Sequence, residues 1–210
     1  QFKNLDLNYT RELFFKSFPL LLSSIASILY LKIDQVFIIS MMDTKSTGEY
    51  AAAVRLCEGI FIFTAIILPS VFPNLIAKKN ISEKIFYIYL KKLVMLLLVI
   101  GICMTLFTSL LSEQIVSFLY GEDYYNSAII LSIYSLSIPI VYVGDLFSRW
   151  LVITNNTKLS IYRHLLGLTV NVGLNLIWIP TYGLKGAAMA SVVAFFSSIV
   201  IFSIVSIRAT

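Results

Sequence analysis

The sequence predicts an all-α integral membrane protein, a bundle of six transmembrane helices. Three observations carry this. Of 210 residues, 59% are hydrophobic and 13% charged, and the mean hydropathy is +0.89, whereas a soluble domain runs at roughly half apolar and about a quarter charged. The apolar residues fall into six runs separated by short polar connections, and a helix that crosses a membrane needs about 20 such residues. Lysines and arginines collect at alternate connections. The length of the runs excludes a β-barrel, whose strands need only about 9–11 residues in strict alternation. Fifteen Phe, twelve Tyr and long Ile/Leu runs exclude disorder. A nucleic-acid module is excluded despite a formal charge of +5 and a pI near 9.1, because the basic residues are spread between apolar runs rather than pooled on one face.

The first span covers about 13–42, interrupted by Lys16, Pro19, Lys32 and Asp34. A polar connection, 43–49, leads to the second, about 50–77, which carries Pro69 and Pro73; neighbouring helices can re-satisfy the carbonyls such prolines free. A mixed amphipathic stretch from Lys78 to Lys92 precedes the third, about 93–111, the cleanest run. Residues 112–126 alternate Glu113, Gln114 and Ser117 with Ile115, Val116, Phe118 and Leu119, which predicts a short interfacial helix with tyrosine anchors. The fourth span, about 127–153, contains Pro139, Asp145 and Arg149. Asn155 to Lys158 turn the chain into a fifth span, about 161–179, and Pro180 to Lys185 turn it again into a sixth, about 186–207. The polar first dozen residues are unlike a signal peptide, and a start at Gln1 reads as part of a longer protein.

With the N-terminus in the cytoplasm, that side holds eleven basic residues: Lys3, Arg11, Lys16, Lys78, Lys79, Lys84, Lys91, Lys92, Lys158, Arg163 and Arg208. The other side holds only Lys45 and Lys185, and Lys32, Arg55 and Arg149 lie within spans. The positive-inside rule places both termini of this segment in the cytoplasm.

Six ionisable residues fall inside spans: Lys32, Asp34, Arg55, Glu58, Asp145 and Arg149. Facing lipid at mid-bilayer, each would cost about 2.5–3.5 kcal/mol. They are therefore expected to line a wet cavity or to pair within the bundle. Spacing favours pairs of Arg55 with Glu58 and Asp145 with Arg149, and Arg149 is close enough to an end to snorkel. Lys32 and Asp34, two apart, point to nearly opposite sides, so at least one needs a partner on another helix. Asn171 and Asn175 share one face of the fifth span, better suited to bonding a neighbouring helix than to meeting a sugar. His164 is placed at the cytoplasmic boundary. Gly186, Ala190, Ala194 and Ser198 form a ladder of small side chains for close packing. Cys57 and Cys103 sit in apolar runs and give neither a disulfide framework nor a metal-ligand spacing. No G-x-S-x-G, Walker A or H-E-x-x-H pattern occurs, so no catalytic residue, cofactor or metal is expected, and an ATP-driven pump would need its nucleotide site on another chain.

Several motifs resemble a known family. The segments Lys32-Ile33-Asp34-Gln35-Val36-Phe37 and Thr47-Gly48-Glu49-Tyr50-Ala51-Ala52-Ala53-Val54-Arg55-Leu56 resemble the start of the second lobe of polysaccharide-repeat-unit flippases of the Wzx type, in the MATE-like MOP superfamily. Pro69-Ser70-Val71-Phe72-Pro73, Leu119-Tyr120-Gly121-Glu122-Asp123-Tyr124 and the run from Asn175 to Ala188 are similar to later family segments in the same order. The resemblance implies one six-helix lobe, the C-terminal half, of a two-lobe transporter, so the partner expected beside it is the N-terminal six-helix lobe. It implies a substrate, an undecaprenyl-diphosphate-linked oligosaccharide such as an O-antigen unit of lipopolysaccharide, moved across the bacterial inner membrane and coupled to an ion gradient. Lys32, Arg55 and Arg149 become candidate anion contacts, and Asp34, Glu58 and Asp145 candidate sugar or proton partners. Other partners implied are membrane lipids and further polysaccharide assembly proteins, with no nucleic acid. A lipid II flippase, a MATE-type cation or drug antiporter, and a membrane scaffold without transport are the competing readings.

Overall fold

The computed structural model describes residues 7–201, and every regular element among them is helical. In chain order these are α1 (Leu7–Met41), α2 (Thr44–Ile81), α3 (Glu83–Leu110), α4 (Ser112–Tyr120), α5 (Tyr125–Tyr134), α6 (Ile138–Ile153) and α7 (Lys158–Phe196). A 3-10 turn, Glu122–Tyr124, precedes α5, and another, Ser135–Ser137, joins α5 to α6 so that the two make one crossing with Pro139 in the first turn of α6. A π-helical turn, Ser197–Ile201, continues α7. Of the expected sixth span, residues 202–207 lie outside the described residues.

Five stretches are long and apolar enough to cross a membrane among the described residues, the last being 158–200. That last stretch is two arms. Gly183 breaks it with φ 60 and ψ −138, a left-handed φ that glycine adopts without Cβ strain. Around it the arms run antiparallel: a Cβ on Gly186 would collide with the carbonyl of Trp178, Asn175 and Ser191 both reach Asp34, and a Cβ on Gly167 would sit 3.0 Å from Ser198. Among the described residues the five stretches therefore fold as six helical rods, the last stretch supplying two. The ends can be assigned from contacts. Met42, Ser46, Asn126, Tyr182 and Lys185 surround one cavity at one end, and Lys79 donates to the Ile153 carbonyl at 2.6 Å at the other.

Helix bounds depart from the sequence reading at α2. Residues 43–49 look like a polar loop, yet Asp43 caps a helix beginning at Thr44, its carboxylate accepting from the Ser46 N–H at 2.7 Å. This satisfies one of the orphan donors of the first turn, and the same backbone N–H holds the Asp43 carboxyl below its ordinary range. Similarly, the amphipathic stretch 78–92 divides at Ser82, whose backbone is extended, and becomes the end of α2 and the start of α3. The short helix expected over 112–126 forms as α4 and the turn after it, stopped at Gly121 with φ 85.

Two apolar clusters fill the bundle. One gathers Ile38, Tyr50, Ala53, Cys57, Leu131 and Tyr134 with Ala187, Ala188 and Ala194, the last from the small-residue ladder, and the other gathers Leu68, Leu75, Leu97, Tyr142 and Trp150. Gly101 lets α3 approach α6: an added Cβ would lie 2.5 Å from Pro139 Cα. Small residues permit such backbone contact where lipid supplies no hydrophobic drive. Outward stand Met95, Val99, Ile102, Leu106, Phe107 and Leu110 of α3, all at least half exposed, as on a lipid-facing helix. Cys103 is exposed on α3 and Cys57 is buried.

Candidate functional site

The in-span charges separate into three places. On the outer face of α1 and α2, Lys32 Nζ pairs with Glu58 Oε1 at 2.8 Å, the side chains 46% and 31% exposed. Arg55 is exposed one helical turn from Glu58 and has no ion pair or hydrogen bond among the described residues. The expected Arg55–Glu58 pair is thus replaced by an interhelical one, because Lys32 approaches from α1 while Arg55 points away. Since α2 starts at Thr44, Arg55 lies eleven residues in, about 17 Å along the helix at 1.5 Å per residue. Lys32, nine residues before Met41, lies about 14 Å from the same end. Three charged side chains exposed at this depth would be costly against hydrocarbon. This face of α1 and α2 therefore meets water or protein.

Asp34 occupies a second place, inside. It is 2% exposed and accepts from Tyr50 OH at 2.8 Å, from Asn175 Nδ2 at 2.6 Å and from Ser191 Oγ. Asn175 Nδ2 also donates to Asn171 Oδ1 at 2.8 Å. Four elements of the chain converge: α1, the start of α2 and both arms of α7. The periodicity that puts Lys32 outward puts Asp34 inward, as the two-residue spacing requires. No basic side chain pairs with Asp34 among the described residues. The Asn175 carbonyl oxygen is buried without a partner. Carboxylate, amide and hydroxyl oxygens so gathered can hold a proton or a small monovalent cation, hard cations preferring oxygen. Sequence reasoning found Asp34 and the asparagine pair but missed Tyr50 and Ser191. Ser191 follows Ala190 of the small-residue ladder, and only the fold of α7 at Gly183 brings it to Asp34.

The third place lies where α6 meets α2 and α7. Thr64 donates to Asp145, and Arg149 stacks over the Phe72 ring, 5.6 Å from its centroid, so the expected Asp145–Arg149 pair is not an ion pair here. Arg163, counted among the charges of the Thr157 end, is not a solvated one: it is buried, 5% exposed, donating to the Gly144 carbonyl at 2.9 Å and Ser148 Oγ at 2.8 Å. Its position near the Lys158 end of α7 suggests solvent, but the Gly144 carbonyl and Ser148 on α6 take its guanidinium, and the absent Cβ of Gly144 makes room for Ile199. His164, expected at the boundary, is half-buried, with Nε2 3.2 Å from Arg163 Nη2.

Residues 3–210 match the lipid II flippase MurJ family. The chain belongs to that family. Among solved structures, a lipid II flippase MurJ in an inward closed conformation superposes with a TM-score of 0.77 at 21% identity, over 98% of this chain and 45% of that one. A multidrug resistance MATE family transporter of the MOP superfamily gives 0.64 at 17%, over 89% and 42%. The fold is accordingly that of one lobe of a two-lobe MOP-type transporter. Two relatives align along nearly all of the chain. An uncharacterised membrane protein of Methanocaldococcus jannaschii is 25% identical over 98% of this chain and 49% of its own length. A capsular polysaccharide biosynthesis protein of Staphylococcus aureus is 24% identical over 95% and 52%. The chain spans about half the length of these relatives.

Proposed function

We propose that this chain is the C-terminal lobe of a flippase that moves an undecaprenyl-diphosphate-linked oligosaccharide, a surface-polysaccharide repeat unit, from the cytoplasmic to the periplasmic leaflet of a bacterial inner membrane, driven by an ion gradient. The observation that carries it is the exposed face bearing Lys32, Arg55 and Glu58 at mid-helix depth. A saccharide diphosphate crossing a membrane needs a wet, partly cationic wall, while its polyprenyl tail stays in lipid. Arg55, without a partner among the described residues, is the phosphate contact, because a planar guanidinium binds two phosphate oxygens at once. Lys32 and Glu58 flank it as anion and hydroxyl contacts. Asp34 is the coupling-ion site; Asp145 and Arg149, deeper between α2 and α6, support the wall rather than touch the sugar.

The family match supports a flippase, and the Staphylococcus aureus relative supports a polysaccharide substrate. In this reading the Ser82 and Thr157 turns, with their clustered lysines, lie in the cytoplasm and the Asp43 and Gly183 turns in the periplasm. A second lobe faces the charged strip, because alternating access rocks one bundle against another around a midplane site. The family's name favours a second reading, with lipid II as substrate. Depleting the full-length protein in its host and identifying the lipid-linked saccharide retained on the inner leaflet decides between them. Retained repeat unit with normal lipid II supports the first reading, retained lipid II supports the second, and retention of neither contradicts both.

A further inference from the structure

Between α1, α6 and both arms of α7 lies a cavity of about 220 Å³. Ser27 and Tyr30 face it from α1, Asp145 from α6, and Arg163, His164 and Ser198 from α7. Its polar walls come from groups otherwise withdrawn from solvent. Tyr30 is 4% exposed and Arg163 5%, and neither the Tyr30 hydroxyl nor Arg163 Nε has a hydrogen-bond partner among the described residues. Buried donors of this kind are costly unless water reaches them. The rest of the lining, Leu31, Phe61, Val141, Phe195 and Ile199, is apolar, so any water held here sits against these few polar groups, for which a cavity of this size has room.

The cavity's position gives it a use. Arg163 is five residues from the start of α7, about 8 Å in, whereas Asn175, on Asp34, is seventeen residues in, about 26 Å. The space therefore leads inward from the Thr157 end toward Asp34. Tyr30 stands between them: it precedes Asp34 by four residues, hence on the same face of α1, and its ring packs edge-on to Phe195 at 4.9 Å. Beyond Asp34, Tyr50 and Tyr134 close the bundle, each 1% exposed, with ring centroids 6.4 Å apart. The charges on the cavity balance. A lone carboxylate would trap an entering cation and a lone guanidinium would repel it, but Asp145 and Arg163 offset each other. Arg163 is held by Gly144 and Ser148, and Asp145 by Thr64, which keeps the two apart with the cavity open.

We infer that this cavity is a hydrated vestibule by which the coupling cation, a proton or a small monovalent metal ion, passes between Asp34 and the Thr157 end of the bundle, with Tyr30 as the movable septum. The inference rests on the reading of Asp34 as the ion site.

The test uses the full-length protein, freed of Cys57 and Cys103, in sealed vesicles. Single cysteines replace Ser27 and Ser198, on opposite walls, and a membrane-impermeant cationic methanethiosulfonate is added to one side at a time. The vestibule predicts modification of both from the side that also labels a cysteine at Lys158, with loss of gradient-driven transport once modified. Absence of modification, modification only from the side that labels a cysteine at Lys45, or modification that leaves coupled transport intact overturns it. Asp34→Asn, assayed in the same vesicles, separates the two ideas. Lost coupling in Asp34→Asn with no cysteine labelling removes the vestibule and keeps the ion site; intact coupling in Asp34→Asn removes the ion site and, with it, the route.

Discussion

The hydroxyl of Tyr50 donates to Asp34 Oδ2 at 2.8 Å, tying the start of α2 to the last turns of α1 through a carboxylate that no basic side chain neutralises among the described residues. Ser191 contacts both groups, its Oγ 3.1 Å from the Tyr50 hydroxyl. Replacing Tyr50 by Phe removes a donor and leaves the shape. In membrane bundles such side-chain bonds are worth about 0.6 kcal/mol on average and up to about 1.7, so the Tyr50→Phe protein is expected at near-normal abundance, with altered ion dependence. Membrane abundance by immunoblot and transport against ion concentration check this; depletion of the protein with unchanged ion dependence would make Tyr50 purely structural.

Arg55 and Glu58 give a second test, because the structure separates them. Arg55→Ala is expected to abolish export in the full-length protein at matched abundance, with Arg55→Lys partly active. Glu58 pairs with Lys32, so Glu58→Ala should not reproduce the Arg55→Ala phenotype. An exposed pair of this kind contributes at most about 1 kcal/mol, so neither protein should be depleted. Wild-type export by Arg55→Ala, measured as surface polysaccharide, takes Arg55 out of the site.

The hairpin of α7 predicts a steric effect. An added Cβ at Gly186 would collide with the backbone carbonyl of Trp178, and Gly183 sits at φ 60. Overpacking costs about 1–3 kcal/mol. Gly186→Ala should therefore lower the thermal unfolding midpoint of the purified protein, while Gly48→Ala, with nothing within 4 Å of the new Cβ, should not. Equal midpoints for the two variants would contradict the fold of the two arms at Gly183.

Orientation is open to a direct reading. Cysteines at Lys45 and Lys158, at opposite ends of the bundle, are expected to differ in intact cells: the first labelled from outside by an impermeant reagent, the second only after permeabilisation. The reverse pattern would invert the proposed topology and exchange the two mouths.

Much of the bundle is legible in the sequence because bilayer thickness fixes the length of an apolar run and the backbone can be satisfied there only as helix. Lys32 and Asp34 show how far spacing reaches: two residues apart, they had to diverge, and one meets Glu58 on α2 while the other turns to Tyr50, Asn175 and Ser191. The failures share a cause. Arg55 with Glu58 and Asp145 with Arg149 have local spacing that allows pairing, but partners on other helices, Lys32 and Thr64, take the carboxylates instead. Arg163 looked like an end-of-helix charge because nothing local reveals its acceptors on α6, the Gly144 carbonyl and Ser148. Such contacts depend on which helices are neighbours, and hydropathy does not report that.

The function proposed above is that of one lobe of an ion-coupled flippase for lipid-linked oligosaccharides, with Asp34 as the coupling site. Its most direct test is the leaflet-to-leaflet movement of a purified undecaprenyl-diphosphate-linked saccharide in vesicles containing the full-length protein, with and without an imposed ion gradient, beside Asp34→Asn at equal protein. The account predicts gradient-accelerated movement by the wild-type protein and loss of that acceleration in Asp34→Asn. Movement no faster than in protein-free vesicles, or the same gradient dependence in Asp34→Asn, would contradict it.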